Sequence, residues 1–206
     1  MQSKQHWEKV YETKSADALS WFQPHAESSL DFIHATGVDK NAAIVDVGGG
    51  ASTLVDDLVA EGYSDMTVLD LSAAALSAAR RRLGAQEGKV NWIEADITEV
   101  ELPESRYDVW HDRAVFHFLT SPEDRVAYVR KVFRSVKPGG HVIVATFAED
   151  GPEKCSGLPV MRYRPDELHG EFGEAFTLLQ HQKEEHRTPS GLVQQFVYCY
   201  CRRANS

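Results

Sequence analysis

The chain has 206 residues, 42% of them hydrophobic and 26% charged, which supports one folded domain with a substantial core. Its net charge of −9 excludes broad electrostatic binding to nucleic acid or to an anionic membrane. Three cysteines, Cys155, Cys199 and Cys201, contain no CxxC pair, which argues against a disulfide framework or a standard zinc site and fits a reducing cytoplasm. Residues 1–10 are polar and charged, without the apolar core of a targeting signal, and no run approaches membrane-spanning length. Arg80, Arg81 and Arg82 read as a solvated helix end, where cations are favoured.

Residues 4–13 carry Trp7, Val10 and Tyr11 at helical spacing. A second helix is predicted over 24–36, with Pro24 in its first turn and Gly37 at its end. The apolar run 42–48 then reads as a buried strand, and 52–61 as a helix capped by Ser52 or Thr53. Residues 66–71 form a second strand, and 72–83 an Ala-rich helix with Ser72 at its cap. Strands follow at 90–97 and 107–112, a helix at 122–136, a turn at 137–140 and a fifth strand at 141–147. Residues 148–168 read as a loop. The last two strands, 176–188 and 192–203, are separated only by Pro189, Ser190 and Gly191, so they pair as an antiparallel hairpin.

Alternating strands and helices imply parallel pairing through right-handed crossovers. The expected fold is a doubly wound, Rossmann-like α/β domain: a seven-stranded, mostly parallel sheet ending in an antiparallel hairpin. No repeat or linker divides the chain, so 1–206 is read as one domain, with 40–206 as a ligand-binding core.

The first strand runs into Asp46-Val47-Gly48-Gly49-Gly50-Ala51-Ser52. Glycines there let the backbone approach a ligand at the carboxyl edge of the sheet. Asp70 ends the second strand, where it can accept both hydroxyls of a ribose, with Leu71 beside it. Asp96 lies at the end of the third, where it can accept an adenine amine, and Ile97 can pack on the ring. Taken singly, each of these residues also suits an ordinary turn or cap; three successive strand ends together point to an adenosine ligand. Thr53 stands at the third glycine of the dinucleotide fingerprint, and no phosphate-binding GxxxxGK[ST] loop is present. Asp46 would repel a pyrophosphate but attract the α-ammonium of a methionyl group.

These segments resemble class I S-adenosylmethionine-dependent methyltransferases. VDVGGGAST is similar to their first motif, VLDLS to the ribose-binding strand end and EADI to the adenine motif. YDVWHDRAVFHFL is similar to the fourth-strand motif and VKPGGHVIVATF to the fifth strand with its turn. The resemblance covers residues 40–148 and implies S-adenosylmethionine as cofactor, bound by Asp46, Gly48, Gly49, Gly50, Asp70, Leu71, Asp96, Ile97, His111 and Trp21.

It also implies that Trp110-His111-Asp112-Arg113 faces the sulfonium. There His111 is a candidate general base or acceptor ligand, and Arg113 a candidate anchor for an anionic substrate. An Asp112–Arg113 ion pair with His111 lining the cofactor is the plainer alternative. The resemblance further implies that 1–37 is a helical lid over the pocket, in which Trp7, Tyr11, Trp21 and Phe22 are aromatics suited to a sulfonium site, with core packing the plainer reading for Trp7; His117 and Phe118 read as packing residues. Cys155 suits a soft acceptor, although a three-cysteine site would need Cys199 or Cys201 nearby. His186 is expected to face solvent. The implied activity is methyl transfer to a small molecule such as a thiol, metalloid or carboxylate. Protein-lysine methylation and non-catalytic adenosyl binding remain as alternatives.

Overall fold

The computed structural model describes residues 4–205. Helix α1 (Lys4–Thr13) leads through a short 3-10 turn to α2 (Glu27–Ala35). The core then alternates β1 (Ala43–Val47), α3 (Leu54–Ala60), β2 (Asp65–Asp70), α4 (Ala73–Leu83), β3 (Val90–Glu94), β4 (Tyr107–Arg113), α5 (Pro122–Ser135) and β5 (Val136–Phe147). A two-residue pair, β6 (Lys154–Cys155) and β7 (Leu158–Pro159), precedes α6 (Pro165–Phe172), β8 (Phe176–Arg187) and β9 (Val193–Arg203). The large sheet has the order β3-β2-β1-β4-β5-β9-β8. Its first five strands are parallel, and β9 runs antiparallel to both neighbours.

Local chemistry explains the helix starts. Ser72 Oγ accepts the Ala75 amide at 3.1 Å, and Ser121 Oγ accepts the Asp124 amide at 3.1 Å ahead of Pro122. Both sheet faces are covered, so β1 is buried at every residue. Val45, Val47, Trp110 and Val144 pack on one face with Tyr128 and Val132 of α5. Ile44, Val68, Val109 and Ile143 pack on the other with Phe32, Ile33 and the buried side of α3.

Four expectations are corrected. Residues 137–140 are not a turn between elements but a bulge inside β5. The register passes from Tyr107–Val136 to Val109–His141, and Lys137 ties the excursion to the Asp108 carboxylate at 2.8 Å. Helix α2 begins at Glu27 rather than Pro24, because the Gln23 carbonyl is held by Thr53 Oγ1 at 2.9 Å. The expected loop 148–168 contains β6, β7 and the start of α6, whose Glu167 side chain accepts the Arg164 amide at 2.9 Å. His186 does not face solvent. It is buried, donating from Nε2 to the Ser20 carbonyl at 2.7 Å.

No helix among the described residues is long and apolar enough to cross a membrane. Residues 1–3 of the expected lid lie outside the described residues.

Candidate functional site

The parallel strands bring their carboxyl ends to one edge, where two adjoining cavities open. At the end of β1 the chain turns at Gly48, whose φ is +71°, and a Cβ there would stand 2.0 Å from Val115 Cγ2. A Cβ at Gly49 would stand 2.2 Å from Asp46 Oδ2. Glycine is therefore required both for the turn and to let the backbone pass beside a buried carboxylate. Gly50 donates its amide to Asp70 Oδ2 at 3.0 Å.

Asp70 Oδ1 accepts the Ser72 amide at 2.8 Å. Burial pushes the Asp70 carboxyl up to about 6, against the pull of these two amides. Asp70 and Leu71 line the larger cavity together with Asp96 and Ile97. Strand β3 ends at Glu94, so Asp96 sits in the turn beyond it. Its Oδ1 accepts both the amide and the hydroxyl of Thr98, at 2.8 and 2.6 Å.

Asp46 and His111 are register partners on β1 and β4, so their side chains share a face. Asp46 Oδ1 lies 2.7 Å from His111 Nδ1, and His111 Nε2 lies 2.9 Å from Ser29 Oγ on α2. Ser29 Oγ in turn lies 3.0 Å from the Tyr198 hydroxyl on β9. All four residues are buried, and Asp46 Oδ2 is left without a hydrogen-bond partner. Asp46, Gly48, Gly49, Trp21, Phe22, Ser29, His111 and Arg113 line the smaller cavity.

The expected Asp112–Arg113 pair does not form, because adjacent residues on a strand point to opposite faces. The Arg113 guanidinium instead reaches the Glu184 carboxylate at 2.9 Å and the Trp21 carbonyl at 3.2 Å, and lies over the Phe196 ring. Asp112 faces α5. It accepts the Tyr128 hydroxyl at 2.5 Å and the Val115 amide at 2.9 Å, while burial pushes its carboxyl up to about 7. The Tyr128 hydroxyl also accepts the Trp110 indole at 2.9 Å.

The outer part of the larger cavity is aromatic. Trp7 packs edge-on against Trp21 and Phe118, with centroids 5.7 and 5.2 Å apart, and Tyr11 packs edge-on against Trp21 at 6.2 Å. Cys155 joins this wall; burial pushes its thiol up to about 12, which keeps it protonated. Cys199 and Cys201 pack in the core on the other sheet face, 3.2 Å apart, so the three sulfurs do not meet. Phe22 lines the smaller cavity beside Asp46, away from this wall.

The sequence reading missed Ser29, Tyr198 and Glu184 as site residues, and it gave Trp7 and Phe118 to packing. Ser29 had one visible signal: a small polar residue on the same helical stripe as Phe32 and Ile33.

Residues 44–140 match the family model described as a methyltransferase domain. The chain is 25% identical over 141 residues to the mouse eEF1A lysine and N-terminal methyltransferase, covering 68% of this chain and 20% of that protein. It is 32% identical over 141 residues to a ubiquinone biosynthesis O-methyltransferase from Alkalilimnicola ehrlichii, covering 64% of this chain and 56% of that one. The chain thus spans a fifth to about half of the length of these curated relatives. In fold it is similar to the N-methyltransferase NodS from Bradyrhizobium japonicum, solved with S-adenosylhomocysteine. The TM-score is 0.71 at 15% identity, over 95% of this chain and 97% of that one.

Proposed function

We propose that this chain, whose residues 44–140 match the methyltransferase-domain model, moves a methyl group from S-adenosylmethionine to a small molecule enclosed by α1. The observation that carries the reading is the buried, unpartnered Asp46 Oδ2 beside the glycine turn, with Asp70 and Asp96 on the adjoining cavity. An unpartnered buried carboxylate oxygen is costly, and a cationic α-ammonium would satisfy it. A pyrophosphate would meet three acids and no cradle. Asp70 would hold the ribose, Asp96 and Ile97 the adenine, and Asp46 and the glycines the methionyl end.

When bound, the cofactor supplies an electrophilic methyl group with a neutral thioether as leaving group. The chain's own task is alignment and exclusion of water. Trp7, Tyr11, Trp21 and Phe118 supply a dry aromatic wall next to the Gly48 turn. His111 has both ring nitrogens engaged and Arg113 is paired with Glu184, so neither stands as a free base or anion anchor. This favours an acceptor that needs no base: a thiol entering as thiolate, a metalloid or a carboxylate. The free cysteines suit a cytoplasmic setting.

A second reading, methylation of a protein lysine, is favoured by the name of the mouse relative. Labelled S-adenosylmethionine offered to thiols, metalloid oxyanions, small acids and whole lysate protein separates the two. Label in a small-molecule product is the expected result. Label only in protein would replace this reading with the second. Cofactor binding without any transfer would favour a non-catalytic adenosyl-binding role.

A further inference from the structure

The chain Arg113, Tyr198, Ser29, His111, Asp46 crosses the sheet face beneath the glycine turn, from the end of β4 through β9 and α2 back to β1. We propose that Ser29 and Tyr198 are positioning residues for the cofactor's α-ammonium, acting through His111 on Asp46. The inference rests on the reading that Asp46 receives that ammonium.

The argument is one of hydrogen-bond direction. A guanidinium can only donate and a carboxylate can only accept. Arg113 lies against the Tyr198 phenol at one end, and Asp46 stands at the other. If the phenol oxygen accepts from Arg113, its proton points to Ser29 Oγ at 3.0 Å. The Ser29 proton then points to His111 Nε2 at 2.9 Å, and the remaining imidazole proton, on Nδ1, donates to Asp46 Oδ1 at 2.7 Å. The order selects one histidine tautomer and occupies one Asp46 oxygen, leaving Oδ2 turned toward the glycine turn, 2.2 Å from where a Gly49 Cβ would stand. Without the two hydroxyls, His111 Nε2 loses its donor, and the imidazole is free to take the other tautomer and release Asp46. The arrangement resembles the way second partners orient a ligating histidine, here serving an ammonium.

The test compares two nucleosides by calorimetry. S-adenosylhomocysteine carries the α-ammonium; 5′-methylthioadenosine has the same adenosine and thioether without it. Tyr198→Phe and Ser29→Ala are expected to weaken S-adenosylhomocysteine by about three- to tenfold, the loss of one buried hydrogen bond, while leaving methylthioadenosine unchanged. Ser29→Thr, which keeps the hydroxyl, should restore the preference. Equal weakening of both nucleosides would mean a merely structural role and overturn the proposal. Asp46→Asn separates the two levels. If it leaves the preference for S-adenosylhomocysteine intact, the reading of Asp46 is wrong. If it removes the preference while Tyr198→Phe and Ser29→Ala do not, only the positioning proposal fails.

Discussion

The Glu8 carboxylate on α1 accepts the Ala73 backbone amide at 2.7 Å, and its second oxygen lies 3.3 Å from the Ala74 amide. The first amides of a helix have no partner within it and carry its positive dipole end. Glu8 therefore closes α1 onto the first turn of α4, which begins three residues beyond Asp70. Helix α1 buries none of its own residues completely, and Lys4 adds an exposed ion pair with Glu94. Glu8→Ala removes a cap of about 1 kcal/mol, enough to loosen α1 without unfolding the core. Hydrogen exchange of the α1 amides should quicken, with S-adenosylhomocysteine binding weakened several-fold and the melting temperature nearly constant. Unchanged exchange would show that the aromatic contacts alone hold α1 down.

If Asp70 holds the ribose as proposed, it couples cofactor binding to pH. Its carboxyl is pushed up to about 6 by burial, whereas ribose hydroxyls donate to the ionised form. Below that value a proton must leave before the nucleoside binds, so affinity should fall toward a limit of about tenfold per pH unit. Stability runs the other way. A carboxyl raised from 3.8 in the unfolded chain to about 6 in the fold contributes stability that is present at low pH and lost as pH rises through that window. Asp70→Asn should abolish the binding slope and weaken S-adenosylhomocysteine at pH 7.5 by about 10- to 100-fold. Calorimetry from pH 5 to 8 on both proteins checks this, and a flat profile for the wild type would remove Asp70 from the ribose site.

The glycine turn, Asp70 and Asp96 were legible in the sequence because strand ends in a parallel sheet converge on one edge, so order along the chain already implies proximity in space. The Ser72 cap was legible because it acts three residues away. Links across the sheet were not. Ser29 meets Tyr198 over 169 positions, and only because β9 inserts between β5 and β8 does Tyr198 face α2. Glu184 and His186 sit in a polar edge strand that reads as solvated, yet Arg113 and the Ser20 carbonyl cover them. Helix α6 was hidden for a local reason. Its eight residues bury only Leu168 and Phe172, too short a stripe to reveal a period.

Asp112 should give the fold a pH-dependent stability of its own. The carboxyl is fully buried and raised from 3.8 to about 7 by that burial, so its contribution is complete below pH 3.8 and is lost as pH rises through 7. His117, driven down to about 3 by burial, pulls the opposite way, because the unfolded chain takes up its proton below 6.5. With Asp70 the raw profile mixes three slopes, and the difference between wild type and Asp112→Asn isolates the one that belongs to Asp112. Asparagine keeps an acceptor for the Val115 amide and cannot ionise. Urea unfolding at pH 4, 5.5 and 7 should show wild type losing stability relative to the variant as pH rises. A constant difference would mean that Asp112 does not titrate in this window.

Gly49→Ala tests whether the close approach of turn and acid matters. The added methyl would stand 2.2 Å from Asp46 Oδ2 and 2.6 Å from its Cγ, far inside contact distance. Asp46 cannot simply swing aside, because Oδ1 is bonded to His111, so either the turn shifts or that bond breaks. Either way the end of the site proposed for the methionyl group is displaced, whereas Asp70 and Asp96 on the adjoining cavity keep their own partners, Ser72 and Thr98. The expected result is a large loss of S-adenosylhomocysteine affinity, with 5′-methylthioadenosine reduced much less. Loss of both ligands to the same degree would show that the turn positions the adenosine as well, and that the division of the site between the two cavities is wrong.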